Sequence, residues 1–459
     1  MESSGPSSGK GRPGKTPSAE RLTDMDNENL KQLVGTLMRM GTFGKMGTRN
    51  VKKEVHKIIE GLQSGDDARA SALARAKRDA LEDIGAYLEG LSDVNNASLK
   101  SEEALALTSG LINSHVVRES TFRDGDREGI SVTVYGSLSM SQLVQRLRSL
   151  LEDTKQLDRL KTAEKRNADL LKTQEKLEVQ NRKIVEKGGN ADEKKALKKA
   201  FRDNTRKIEA QDWYDKVKAL WNGKTYTDPK MAVEYFDQAI RLVPDYPVYY
   251  FHRANANYFW RQFKLAIRDF DKAVELDAKY ADAFNNRGNT YYQQQKFAEG
   301  VSDYDRALKL APKDADAHNN RGNAYYKQGY FKQALDDYGK AIKLAPNNPI
   351  YRNNRGITHD AMKEYKKALK DYTDAIGIDP AYSVAWYNRG FTHEVMESYK
   401  EALEDFNQAI RLNPKYDDAY YHRGIAYDKL GFAGSAKREW KKAAKLGNQK
   451  AREAMKKSR

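Results

Sequence analysis

Between residues 213 and 450 the small, aromatic and polar positions of the chain recur at a fixed interval. Arg253, Arg287, Arg321, Arg355, Arg389 and Arg423 stand 34 residues apart, and each is followed by a small residue: Ala254, Gly288, Gly322, Gly356, Gly390 and Gly424. A second small series keeps the register at Ala232, Ala266, Ala334, Ala368, Ala402 and Ala436, with Gly300 in place of alanine, and a third runs from Ala239 to Ala443. Between these two stands an aromatic residue: Phe236, Phe270, Tyr304, Tyr338, Tyr372, Phe406 or Trp440. Two helices pack closely only where small side chains face each other, and large aromatic side chains then fill the space between successive pairs. The pattern therefore predicts six full helical hairpins from about 247 to 450. A divergent one near 213–246, carrying Trp213, Leu220 and Trp221, precedes them, and a polar capping segment over 451–459 closes the array.

Pattern and period together resemble the tetratricopeptide repeat family, whose period is 34 residues. The resemblance covers about residues 213–450, with closing prolines at Pro244, Pro312, Pro346, Pro380 and Pro414 and departures at Ala278 and Asn448. It implies a mainly α fold, a right-handed superhelix of about seven hairpins, and a role in binding other proteins. The recurrent arginine stands where that family usually has leucine. An acid follows it by sixteen residues at Asp269, Asp303, Asp337, Asp371, Asp405 and Glu439, which predicts an internal ladder of ion pairs.

Apolar patterning before residue 213 is weaker. Residues 27–63 predict two short amphipathic helices around a glycine-spaced loop, and Asp67 to Leu91 predicts an alanine-rich helix. Ile130, Val132 and Val134 alternate after the turn sequence RDGDRE, predicting a β-hairpin near 115–136 and a small α+β domain over 27–140. A helix followed by a hairpin over about 66–150 resembles the small helix-plus-sheet domain of bacterial envelope lipoproteins, although the signal and the lipid-bearing cysteine of those proteins are absent. Residues 141–211 read as a long charged helix broken at Gly188 and Gly189, with Asn167, Gln174 and Asn181 on its apolar seam. A dimeric coiled coil, hence a homo-oligomer, and a hairpin within one chain both satisfy that pattern.

Composition narrows the function classes. The chain of 459 residues has no cysteine, which excludes disulfides, thiolate catalysis and cysteine metal sites. The net charge of +16 is spread unevenly, and basic residues crowd the C-terminal end, from Lys437 and Arg438 through Lys456, Lys457 and Arg459. A polyanion such as nucleic acid or an anionic membrane surface is thus the alternative partner. Residues 1–26 read as a disordered basic tail, and no stretch approaches the roughly 20 apolar residues that span a bilayer, so the expected location is cytoplasmic. Envelope association follows only from the lipoprotein-like resemblance.

Candidate chemistry lies on the first helix of each hairpin. With the recurrent arginine counted as position seven, positions two, five, six, nine and twelve share one face, which in the resembled family lines the concave groove. Position six is Asn286, Asn320, Asn354 and Asn388; position nine adds Asn289 and Asn323; Tyr292 and Tyr326 take position twelve. A side-chain amide offers both a donor and an acceptor, so a ladder of amides can pair with an extended peptide backbone, with the tyrosines stacking beside it. The ladder resembles the asparagine ladder of the repeat superhelix in O-linked N-acetylglucosamine transferase, without its transferase domain. Asp360, Glu394 and Asp428 replace the tyrosines further along, beside Ile357, Phe391 and Ile425. Positions two and five lack the basic residues that clamp chaperone tails in other members of the family. Gly9–Thr16 spell a phosphate-loop string, GKGRPGKT, but no apolar strand precedes it. His393-Glu394 lacks the second histidine of a zinc protease. No catalytic residue, cofactor or metal is assigned. The expectation is a bacterial-type scaffold holding an extended protein segment.

Overall fold

The computed structural model describes residues 48–93, 112–139, 143, 154–222 and 225–457. The chain forms two compact units, Met1–Arg261 and Gln262–Arg459. The phosphate-loop string, the basic tail and the first of the two short helices expected within 27–63 lie outside the described residues.

Unit one begins with β1 (Thr48–Ile58), α1 (Gly65–Asp93), β2 (Ile112–Asp124) and β3 (Arg127–Ser139). The strands form an antiparallel sheet in the order β1-β3-β2. The β2–β3 hairpin closes through Gly125 and Asp126, and Gly125 has φ +63°, the left-handed conformation that a two-residue turn demands. Val132 and Val134, alternating as the sequence predicts, are fully buried against Ala72, Leu73 and Ala76 of α1. The second short helix expected before residue 63 is instead β1. Its apolar residues Val51 and Val55 are four apart, a spacing that places them on one face of a helix and equally on one face of a strand, so periodicity alone could not separate the two. Pairing with β3 decides it.

Next come α2 (Thr154–Lys187) and α3 (Ala191–Leu220), an antiparallel pair broken at Gly188 and Gly189, where Gly188 has φ +70°. Asn190 caps α3 in a reciprocal box with Glu193. Two of the polar seam residues are buried within the chain: Gln174 receives Asn204 Nδ2 at 2.8 Å, and Asn181 donates to Glu60 O at 2.7 Å while accepting from Leu62 N; Asn167 is half-buried. The face that a second coiled-coil strand would need is therefore filled here by α3 and by the β1–α1 turn. Helix α3 runs without interruption across residues 211–213, where the sequence suggested a boundary, and packs on α4 (Pro229–Leu242) through Trp213–Tyr235 and Tyr214–Phe236. Helix α5 (Pro247–Phe259) completes the unit, with His252 packed between Tyr214 and Phe236.

Unit two opens with α6 (Phe263–Leu276). Five helical hairpins follow: α7 (Ala281–Gln293) with α8 (Phe297–Leu310), α9 (Ala315–Lys327) with α10 (Phe331–Leu344), α11 (Pro349–Ala361) with α12 (Tyr365–Ile378), α13 (Ser383–Val395) with α14 (Tyr399–Leu412), and α15 (Asp417–Lys429) with α16 (Ala433–Leu446). Helix α17 (Gln449–Lys457) covers the last apolar face, where Ala451 and Met455 meet Trp440 and Ala443. Asn448, which departs from the closing proline, caps α17 through Ala451 N and also donates to Asp418. The small residues have the role that the sequence predicts: a Cβ on Gly322 or Gly356 would come within 2.8 or 2.7 Å of the ring of Tyr338 or Tyr372.

The arginine ladder is present in unit two. Arg287, Arg321, Arg355 and Arg389 each hold the aspartate sixteen residues later through two bonds of 2.6–2.9 Å, and Arg423 holds Glu439. Arg287 and Arg321 also reach back sixteen residues, to Asp271 and Asp305. Each of these two guanidinium groups thereby ties the second helix of its own hairpin to that of the preceding one. The arginines point away from the face on which the asparagines lie.

Candidate functional site

Successive first helices of unit two, α7, α9, α11, α13 and α15, approach one another along the array, whereas successive second helices are held further apart. The face made by the first helices is thus the inner one.

On that face the asparagines form a bonded row. Asn320 Nδ2 donates to Asn285 Oδ1 at 3.2 Å, Asn354 Nδ2 to Asn319 Oδ1 at 2.9 Å, and Asn388 Nδ2 to Asn353 Oδ1 at 2.8 Å. Asn286 accepts from Asn285 at 3.3 Å. Sequence reasoning placed these residues together but missed that they pair with each other, because the partner at position five belongs to the preceding hairpin, 35 residues away. The pairing fixes the amides without exhausting them. Each carboxamide has two acceptor sites and two donor hydrogens. Among the described residues, Asn320, Asn354 and Asn388 make no bond through Oδ1, and Asn319 and Asn353 donate none through Nδ2.

Asn289 and Asn323 are fixed differently. Their Oδ1 atoms accept from Tyr304 and Tyr338 hydroxyls, both at 2.7 Å, and those tyrosines are almost wholly buried. With Oδ1 accepting from the hydroxyl, Nδ2 is turned away from the tyrosine and donates to no partner among the described residues. Tyr292 and Tyr326 are half-buried at position twelve, resting edge-on against Phe297 and at a tilt against Phe331. Burial pushes the Tyr292 phenol above its ordinary value, so it remains a neutral donor.

From α11 onward position twelve of the inner face changes character. Asp360 Oδ2 accepts from Tyr372 and Thr392 hydroxyls, both at 2.7 Å, and its Oδ1 is buried without a partner. Burial holds this carboxyl above the usual carboxylate range. Glu394 lies 3.2 Å from His422 Nδ1 through both oxygens, and Phe391 meets the His422 ring edge-on at 5.1 Å. Asp428 has no side-chain partner among the described residues. His359, a half-buried residue at position eleven, bonds Glu364 at 2.6 Å. Among the described residues no group of three or more histidine, cysteine, aspartate or glutamate side chains could hold a metal, and no helix is long and apolar enough to cross a membrane.

Comparison with known proteins places this geometry. Three models of the tetratricopeptide repeat match the chain, one over 262–295, 288–329 and 396–431, another over 315–348 and a third over 351–382. Among solved structures the chain is similar to YrrB, a TPR protein with an unusual peptide-binding site. The identity is 27% over 41% of this chain and 97% of that one, with a TM-score of 0.34. It is also similar to the MamA protein, at 22% identity over 38% and 94% with a TM-score of 0.33. A tetratricopeptide repeat protein from Parabacteroides merdae aligns at 18% identity over 56% and 98%, with a TM-score of 0.45. A search of curated proteins returns no significant match. Residues 262–431 are tetratricopeptide repeats, and the array of unit two belongs to that family.

Proposed function

We propose that the protein is a non-enzymatic scaffold that holds an extended segment of a partner protein on the inner face of unit two. Tetratricopeptide repeats make a protein-interaction scaffold in general; the finer reading rests on one observation. The row of asparagines is ordered in advance by its own hydrogen bonds and still presents unused Oδ1 acceptors and Nδ2 donors. An extended backbone offers alternating N–H and C=O groups that match such a row, and ordering the amides before binding lowers the entropy lost on association. Asn286, Asn289, Asn320, Asn323, Asn354 and Asn388 would bond the segment, and Tyr292 and Tyr326 would stack on its side chains.

A random library of acetylated, fluorescein-labelled decapeptides tests this on the full chain. Members retained by the protein should bind at least about tenfold more weakly to N320A/N354A/N388A, with helicity unchanged by circular dichroism. Equal binding to both proteins rules the ladder out.

A second reading has one observation in its favour. Lys437, Arg438, Lys441, Lys442 and Lys445 on α16 and Lys450, Arg452 and Lys456 on α17 are exposed, and none pairs with a carboxylate among the described residues. Such a surface suits a polyanion, nucleic acid or anionic membrane, whose binding would fall steeply with salt.

A further inference from the structure

The part of the inner face between residues 350 and 428 carries the end of the asparagine row and differs from the part before it in two ways, and both bear on what it can hold. The first is charge. Elsewhere in unit two the carboxylates of Asp303, Asp337, Asp371, Asp405 and Glu439 each carry an arginine. At position twelve of three successive hairpins, Asp360, Glu394 and Asp428 carry none. Asp360 is held by two hydroxyls, Glu394 by His422, and Asp428 by no side chain among the described residues. Lys429, next to Asp428, forms no ion pair among the described residues. The second difference is apolar exposure. Ile350, Phe391 and Val395, at positions two, nine and thirteen, are 44%, 38% and 44% exposed. Phe391 and Val395 lie one helical turn apart on either side of Glu394, so apolar surface and negative charge are interleaved on one stripe.

We infer that this stretch selects a segment carrying an arginine or lysine beside a bulky apolar residue; the inference rests on the groove reading above. The basic group supplies a cation to Asp428, which has no side-chain partner among the described residues, and to Glu394, whose partner is a histidine. Its aliphatic stem and the apolar neighbour cover Phe391, Val395 and Ile350. An acidic segment would meet the Glu394 and Asp428 carboxylates, neither of which carries an arginine or lysine, and is rejected. The two sets of positions then divide the work, and they overlap on the helices that carry Asn354 and Asn388. The asparagine row grips backbone without regard to sequence, and the stretch from 350 to 428 reads side chains.

Three pools of labelled decapeptides, random except for a central Arg-Leu, Glu-Leu or Arg-Ser pair, test the inference by fluorescence anisotropy on the full-length protein. The Arg-Leu pool should bind about tenfold more tightly than the Glu-Leu pool and several-fold more tightly than the Arg-Ser pool. Asp428→Lys should abolish the preference for arginine, and Phe391→Ser the preference for leucine. Asp428 is exposed without a side-chain partner among the described residues, so its change should leave the thermal transition in place; Phe391→Ser also removes the contact with His422, and its binding is therefore compared at a temperature where circular dichroism shows the variant fully folded. If the pools bind alike while N320A/N354A/N388A still weakens all of them, the inference fails and the groove reading survives. If no pool binds the wild-type chain, both fail.

Discussion

Asp360 shows how one side chain can be structural and poised at once. Tyr372, whose ring abuts Gly356, directs its hydroxyl to Asp360 Oδ2, and Thr392 adds a second donor from the next hairpin. Both donors stabilise the ionised form, yet burial outweighs them and the carboxyl titrates above a free aspartate. A raised folded pKa means that the folded chain binds its proton more tightly than the unfolded chain. The linked stability is therefore complete below the unfolded value, about 3.9, and is lost as pH rises through the folded one. Asp360→Asn keeps an acceptor for the two hydroxyls and removes the charge. It should raise the melting temperature at pH 7.5 by about 1–2 °C, a small effect because the group is only partly buried, and the gain should vanish near pH 4. The same gain at both pH values would show that the carboxylate is not the cause. Sequence alone placed Asp360 on an acidic rim. Its partners lie twelve and 32 residues away, on helices whose facing was legible but whose contacts were not.

At the scale of the element, each hairpin turn in unit two passes through the left-handed region at the same repeat position: Gln295, Lys363 and Glu397 at φ 61–62°, and Gly329 and Gly431 at φ 81° and 85°. A residue with a Cβ is strained there, by about 1–2 kcal/mol. Lys363→Gly and Glu397→Gly should therefore each stabilise the array by up to about 1 kcal/mol, part of the strain relief being offset by the entropy of glycine in the unfolded chain. The two gains should add in urea titrations, because each turn lies in its own hairpin and the two side chains share no hydrogen bond or ion pair among the described residues. A loss of stability on either substitution would mean that the lysine or glutamate makes a contact worth more than the strain. These turns illustrate what the repeat hides: glycine appears at only two of the five, so the demand of the backbone could not be read from residue type. The helices themselves were legible, since the spacing of alanine, glycine and aromatic residues fixes which faces meet. For β1 the same kind of reading failed, because Val51 and Val55 fit both periods and only the strand's partner, more than 70 residues on, distinguishes them.

For the molecule as a whole, legibility fell where repetition ended. Six recurrences of one pattern cancel local ambiguity in the array. The sheet, α1 and the α2–α3 hairpin each occur once and are held by contacts across more than 100 residues, such as Asn181 to Glu60 and Thr205 to Asp67. The asparagine row was visible as a row. Its internal bonding, which turns it from a set of loose surface amides into a rigid comb of donors and acceptors, was not. That comb is the centre of the account, and site-specific photo-crosslinking in living cells tests it most directly. A photoreactive phenylalanine analogue would be placed in turn at Tyr326, on the inner face, and at Tyr330, which is 51% exposed in the turn beyond it. The account predicts discrete protein adducts from position 326 that disappear in the N320A/N354A/N388A background, and few from position 330. Adducts from position 326 that persist in that background, or that form only at position 330, would contradict it.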